Sequence, residues 1–465
     1  MSTIVLGIAM AVLDSTIVNL ALPGITRDLH AGAAAAVWVV TAYQVAILVL
    51  LLPLAMLGDL LGHRRVYLGG LVLFTLASIG CAFAPTLPAL IAARTLQGIG
   101  ASGLMAVNGA LVRLTYPRKL LGRGIALNSI TVASASVAGP SMAAAILSVA
   151  SWPWLFAVNV PLGAIVIALG WRALPPNVGT APAGTRLAPL DVLLNMLMFG
   201  LVFLGADMIG TLYAATSTVP DGAALAIGIA LVLGGALAAV VYVGRQRRVA
   251  VPLLPLDLLR IPVFSLSMCT SIGAFAAQTL AFVALPFLLL EAYGRAHATA
   301  GLLLTAWPIA TVAAALVAGR LIGRVADGLL GAAGLATMAA GLACLAMLPA
   351  APANADIAWR MALCGVGFGL FQSPNNHAIL TSAPNHRSGA AGGMLGTARL
   401  TGQTFGSVIL GIVFAAFGAH VSRGPTIALG FAAGFAAIAA VFSAWRARAS
   451  ATGGAREAHA PPRAD

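Results

Sequence analysis

Four charged side chains, Asp14, Arg94, Asp207 and Arg399, interrupt long apolar stretches of the sequence. A carboxyl in such a setting can carry a proton, and a guanidinium can supply the counter-charge that the proton displaces. Ionised groups in hydrocarbon cost a few kcal/mol each, so they default to function. The plainer alternative for Asp14 and Arg94 is mutual pairing that fixes helix register. Asp207, close to the end of its run, has a route to water. The four charges cancel in sum, which predicts tolerance of neutral or weakly charged molecules as well as cations.

Other polar groups stand near them. Arg94 lies one turn before Gln97-Gly98, placing guanidinium, amide and a close-approach glycine on one helix face. Gly139-Pro140 breaks a hydrogen-bond ladder and should bend its helix. Gln372, Asn375, Asn376 and His377 surround Pro374; they either line a cavity or satisfy backbone groups freed by the proline. With Asn19, Gln97, Asp207 and Arg399, residues Gln372, Asn375 and Asn376 form the expected cavity-lining set. Asp59 can cap a helix end or pair with Arg64 or Arg65, and Gly62 permits a tight turn between them. Alternatively this loop is simply a basic turn.

Several chemistries are disfavoured. The seven histidines form no H-E-x-x-H pattern, and no paired carboxylates stand at catalytic spacing. The only lysine is Lys119, so no glycine-rich loop ends in Gly-Lys and a Walker-type phosphate site cannot be built. Cys81, Cys269, Cys344 and Cys364 sit singly in apolar runs and read as buried small hydrophobes rather than disulfide or metal ligands. No metal site and no cofactor are expected. An enzyme, a channel or a receptor is therefore the weaker class of reading.

The elements that must position these residues follow from composition. Of 465 residues, 60% are hydrophobic and 8% charged, against roughly 25% charged in a soluble protein. Too few charges are present to cover a soluble fold of this size. Uncharged runs of bilayer length predict fourteen helices at 3–24, 37–57, 66–84, 88–112, 124–149, 155–172, 190–210, 223–243, 263–290, 298–318, 329–348, 358–380, 389–417 and 426–445. Ser151-Trp152-Pro153-Trp154 forms a tight aromatic corner at an interface.

The 25 basic residues outnumber 12 acids. This excess does not point to nucleic acid, because its distribution follows the positive-inside rule. With a cytoplasmic amino terminus, 19 basic residues fall in cytoplasmic segments, Arg446 among them, and four, Arg27, Arg295, Arg360 and Arg423, on the opposite side. Both termini should then face the cytoplasm. Arg27 is the local exception to the rule. The first run lacks a basic leader and holds Asp14, Asn19 and Pro23, so it reads as a functional span rather than a cleaved signal.

Gly122, Ala126, Ser129, Ala135 and Gly139 are matched 267 residues later by Gly389, Gly393, Gly396, Gly402 and Gly406. Such an offset suits two six-helix halves with an extra helix pair between them. The expected division is 1–172 for the first bundle, 173–262 for the inserted pair and its linkers, 263–446 for the second bundle, and 447–465 for a disordered cytoplasmic tail.

At this point the motifs resemble a known family. LDSTIVNLALP at 13–23, GDLLGHRRVYL at 58–68, LIAARTLQGIGAS at 90–102, AGP at 138–140, WPWLFAVNVPLG at 152–163 and GFGLFQSPNNHAILTSAP at 367–384 resemble, in order, stretches of the major facilitator drug:proton antiporters with fourteen spans. The resemblance implies an all-α polytopic fold of two six-helix bundles plus two inserted helices. It implies proton coupling through Asp14 and Arg94, a conformational latch of Asp59, Gly62, Arg64 and Arg65, and an antiporter motif at Gly139 and Pro140. It further implies export of small lipophilic compounds across a bacterial inner membrane, powered by the proton gradient, by a monomer for which a periplasmic adaptor is a candidate partner. Proton-linked uptake is the alternative.

The sequence departs from the family pattern in places. Ala55 and Leu60 replace the loop's usual glycine and arginine, and Ala143-Ala144 the glycine pair after the antiporter motif. In the corresponding loop of the second half, GRLIGRVADG at 319–328, Gly323 stands where an aspartate is expected and Asp327 is four residues away.

Overall fold

A computed structural model of the chain describes residues 2–116, 121–176, 187–215, 222–249, 252–383, 388–418 and 423–458. Fourteen helices of 20 residues or more follow one another in these residues, twelve of them both long and apolar enough to cross a membrane, and no strand is present among them. They are α1 (Ser2–Asp28), α2 (Ala33–Leu61), α3 (His63–Ala82), α4 (Leu87–Thr115), α5 (Leu121–Val149), α6 (Pro153–Ala173), α7 (Pro189–Ala215), α8 (Gly222–Gln246), α9 (Pro262–Ala292), α10 (His297–Leu321), α11 (Asp327–Ala346), α12 (Asn354–Ser382), α13 (Ser388–Phe417) and α14 (Arg423–Ala458). The predicted all-α architecture is observed, with most helices a few residues longer than the apolar runs that announce them.

Local chemistry fixes several boundaries. Thr86 caps α4, its hydroxyl accepting from the Ala89 amide at 3.4 Å, with Pro88 in the first turn where a missing N–H is harmless. Between α2 and α3 the chain reverses on Gly62 alone, whose φ of +95° favours glycine. At the aromatic corner Trp152 is buried edge-on against Phe156, their centroids 6.2 Å apart, while Trp154 is exposed. The last helix continues past Ala447, where the sequence suggests a disordered tail, as far as Ala458; alanines at 447, 449 and 451 favour helix. Residues 459–465 lie outside the described residues.

The helices pack as two similar halves. In the first, α4 lies on α2 and α3, and α1 on α5; in the second, α12 lies on α10 and α11, and α9 on α13. The duplicated small-residue stripe explains the second correspondence. A Cβ on Gly139 would strike Thr16 of α1, and one on Gly406 would sit 2.5 Å from the Ala276 carbonyl of α9. The repeat reaches further than the stripe: Gly70 and Gly100 hold α3 against α4 just as Gly334 and Gly367 hold α11 against α12. The side chains of Gly122, Ala126, Ser129 and Gly389 fall outside the described residues.

The halves meet along two seams, α2 against α13 and α5 against α10. The pair α7–α8 packs on itself, and α7 rests on α2 and α13. An even number of crossings puts both described ends on one side, here termed the terminus side. On the far side a single apolar cluster runs through both halves, joining Ile17, Leu22, Val37 and Ala144 to Leu285, Phe287, Trp307 and Phe414. On the terminus side the second half keeps its own cluster around Phe264, Ile379 and Met394. Of the cysteines, Cys81 and Cys364 are buried as expected, Cys344 is partly buried, and Cys269 is exposed.

Candidate functional site

Asp14 lies midway along α1 and is almost completely buried, as is Arg94 of α4. Arg94 Nη1 stands 2.6 Å from Asp14 Oδ2. The other carboxylate oxygen, Oδ1, accepts from Gln97 Nε2 at 2.9 Å and from Asn159 Nδ2 of α6 at 2.7 Å. Arg94 also donates through Nε to the Val39 carbonyl of α2 at 3.0 Å and through Nη1 to Gln97 Oε1. Gln97 in turn donates to Ser78 Oγ of α3 at 2.8 Å. Two aromatic faces close the site: the Arg94 guanidinium carbon lies 4.1 Å from the Tyr43 ring centroid and 5.6 Å from that of Phe156.

The one-turn spacing of Arg94 and Gln97 accounts for their joint aim at Asp14. A buried pair is sustained only when its remaining lone pairs and protons are satisfied, and here five helices contribute to that. Protonating the carboxylate would remove the charge that Arg94 faces and weaken both amide hydrogen bonds. The arrangement is suited to binding and releasing one proton. Asn159, Ser78 and Tyr43 are partners that sequence reasoning missed; the only signal for Asn159 is one amide in the apolar string FAVNVPLG.

The other charged residues are not brought into this cluster. Asp207 of α7 accepts from the Trp38 indole of α2 at 2.9 Å and lies beside Gly411 of α13. Arg399 of α13 sits with its guanidinium carbon 5.5 Å from the Phe275 ring of α9. Since Gly411 is twelve residues beyond Arg399, helix rise separates Asp207 from Arg399 by roughly 18 Å. The four charges therefore cancel in sum without cancelling in place. Asp191, a further acid that the sequence reading passes over, is buried at the start of α7 and pairs with Arg245 at 2.7 Å.

Asn19 is half-buried five residues beyond Asp14 on α1, its Oδ1 hidden without a hydrogen-bond partner. In the loop, Asp59 stands 3.6 Å from His63 Nε2, while Arg64 is directed to the Trp171 carbonyl at the end of α6. Arg65 lines a surface groove with Leu68, Val72 and Trp171. Gly139 and Pro140 lie where α1, α5 and α10 meet: the Pro140 carbonyl is 2.9 Å from where a Gly301 Cβ would stand, and Ser141 shares a 2.7 Å hydrogen bond with Thr305. Arg27, the exception to the charge asymmetry, is 3.5 Å from Glu291 at the far end of α9. It joins the two halves.

The polar group around Pro374 divides. Gln372 and Asn376 are half-buried, and His377 is exposed with Nδ1 2.7 Å from Asp327 Oδ2. Asn375 is fully buried inside the second half, donating to Ser271 Oγ at 2.7 Å and accepting from Arg446. Arg446, counted from sequence among the basic residues of the last cytoplasmic segment, is instead buried, because α14 carries it between α9, α11 and α12. There it donates to Ser267 Oγ at 2.8 Å, to the Asp327 carbonyl at 3.0 Å and to Ser443 Oγ at 3.1 Å. Among the described residues no group of three or more His, Cys, Asp or Glu side chains is arranged to hold a metal ion.

Comparison with known proteins places this arrangement. A family model described as "Major Facilitator Superfamily" matches residues 4–407 and 266–464. The "Uncharacterized transporter YebQ" of Escherichia coli (strain K12) is 51% identical over 444 residues, covering 96% of this chain and 94% of that protein. The "Multidrug resistance protein Stp" of Mycobacterium tuberculosis (strain ATCC 25618 / H37Rv) is 30% identical over 413 residues, 89% of this chain and 75% of that one. A crystal structure of a POT family transporter in complex with a thioalcohol conjugated peptide superposes with a TM-score of 0.70 at 16% identity, covering 94% of each chain.

Proposed function

Because the chain belongs to the major facilitator superfamily, we propose that this multi-pass membrane transporter exports small lipophilic compounds across a bacterial inner membrane in exchange for protons. The observation that carries the reading is the buried Asp14–Arg94 pair with its amide donors Gln97 and Asn159. A proton acting on it can do conformational work. Leaving one member of a buried pair uncompensated costs about 3–5 kcal/mol, and moving two states from 1:99 to 99:1 takes about 5.5 kcal/mol. Protonation of Asp14 supplies the larger share in this reading, and substrate the rest. A ligand or proton shifts such an equilibrium only by its differential affinity for the two states.

Similarity to multidrug resistance and efflux proteins at about 30% identity supports the substrate class. The apolar cluster shared by both halves on the far side fits a state open to the terminus side. The excess of arginines there supports a cytoplasmic location for both termini. In the same reading, Asp59, Gly62, Arg64 and Arg65 act as the latch that forms when the terminus side closes, and Asp59→Asn impairs flux while substrate binding persists.

The decisive test uses purified protein in liposomes with an imposed pH gradient. Asp14→Asn should abolish accumulation of a lipophilic dye against its gradient while slow dye exchange continues. Full gradient-driven accumulation by this variant would move the coupling site elsewhere, with Asp207 the next candidate.

A further inference from the structure

Arg399 is a cation in the middle of a transmembrane helix with no counter-charge among the described residues. Among the described residues no acid forms an ion pair with it and none accepts a hydrogen bond from it, and its Nε is buried without a partner. The membrane-embedded acids are committed elsewhere: Asp14 to Arg94, Gln97 and Asn159, and Asp207 to Trp38 at a remove of roughly 18 Å. The surroundings of Arg399 are aromatic. Phe275 of α9 offers its ring, and Tyr43 of α2 lies within electrostatic range. Arg399 thus belongs to α13, the helix that forms the seam with α2, and meets the Phe275 ring of α9.

A charged side chain in hydrocarbon costs several kcal/mol unless something repays it. Since the described residues supply no anion, we infer that Arg399 is the subsite for the anionic group of the transported molecule, a small organic acid with an aromatic or otherwise apolar body. This inference rests on the exporter reading and names its substrate class. A free guanidinium fork matches a carboxylate or sulfonate in bidentate fashion, and the aromatic ring of Phe275 beside it suits a flat apolar body. Tyr43, with Arg94 stacked on its ring at 4.1 Å, also feels the charge of Arg399.

The test is thermal unfolding of purified protein in phosphatidylcholine nanodiscs, which removes anionic lipid as a competing source of the charge. Three probes share one ring system: 1-naphthaleneacetate, its uncharged amide, and (1-naphthylmethyl)trimethylammonium. The carboxylate should raise the Tm of the wild type at concentrations at least tenfold below those the amide needs, and the ammonium compound should do no better than the amide. Sodium chloride and sodium acetate at matched concentration should not reproduce the shift; if they do, the site binds small anions rather than an organic acid, and the inference fails. Arg399→Gln should fold, since it removes an uncompensated charge, and should erase the preference for carboxylate over amide. Arg399→Lys should keep part of it, having the charge without the fork. A wild type indifferent to the carboxylate, or an Arg399→Gln protein that still prefers it, overturns the inference. Carboxylate binding through Arg399 without proton-driven flux would refute the exporter reading alone. Proton-driven flux of the ammonium probe with no carboxylate preference would refute the subsite alone.

Discussion

Asn159 Nδ2 lies 2.7 Å from Asp14 Oδ1, so a side chain of α6 holds the same carboxylate oxygen that Gln97 reaches from α4. A hydrogen bond to a charged group contributes about 1.5–3 kcal/mol, equivalent to roughly ten- to a hundredfold in an equilibrium. Asn159→Ala should therefore lower proton-driven flux in liposomes by tenfold or more while the protein still folds and binds substrate. Asn159→Gln, which retains the amide at a different reach, should recover only part. Unchanged flux in Asn159→Ala would reduce this contact to packing.

The Arg27–Glu291 pair crosses between the halves on the far side, with Arg27 more than half exposed. Pairs of that kind contribute about 0.2–1 kcal/mol. Glu291→Gln should therefore shift the balance of conformers only severalfold toward opening of the far side. Hydrogen exchange at the end of α9, where Leu288–Ala292 form a π-helical turn, should quicken. A shift of a hundredfold would mean that the pair is more buried in the working protein than this geometry implies.

Gly139 allows α5 to touch α1, because a Cβ there would overlap Thr16 Oγ1. Overpacking of this kind costs about 1–3 kcal/mol. Gly139→Ala should lower Tm and flux together, and adding Thr16→Ala should restore most of both. Failure of the second substitution to rescue would indicate that backbone bending at Gly139-Pro140, rather than contact with α1, is what the glycine provides.

Arg446 ties the end of α14 to α9, α11 and α12 through Ser267, Asp327 and Asn375. Truncating it leaves Asn375 Oδ1 and the Asp327 carbonyl without their donor. Arg446→Ala should cost about 1–3 kcal/mol for each buried acceptor left unsatisfied, seen as a lower Tm and poor yield from the membrane. Removal of an exposed arginine such as Arg247 should be nearly silent in the same measurement.

The fold was legible because apolar runs of bilayer length translate directly into helices, and a 267-residue offset of small residues reports helix pairs that must approach closely. The heart of the candidate site was legible for a similar reason: an Asp and an Arg in hydrocarbon seek each other, and one turn of helix brings Gln97 along. What stayed hidden depends on contacts between residues far apart in the chain. Asn159 meets Asp14 only through the packing of α6 on α1. Arg446 looks like a tail charge until α14 is seen to extend into the second bundle. Asn375, expected beside a cavity, is occupied by that arginine. Summing the charges of Asp14, Arg94, Asp207 and Arg399 misleads for the same reason, since electrostatics depends on distance and a sequence total does not.

The glycine contacts between α3 and α4 return between α11 and α12, with Gly100 carried onto Gly367 at an offset of 267 residues. That same offset carries Arg94 onto Met361 and Gln97 onto Cys364, both fully buried in the second half. A scaffold kept in two copies thus surrounds a buried Asp14–Arg94 pair kept in one. If that pair carries the proton, as proposed above, the asymmetry gives the cycle a direction of causation: one bundle senses the proton, and its twin, matched in shape but inert at the equivalent position, turns that event into movement.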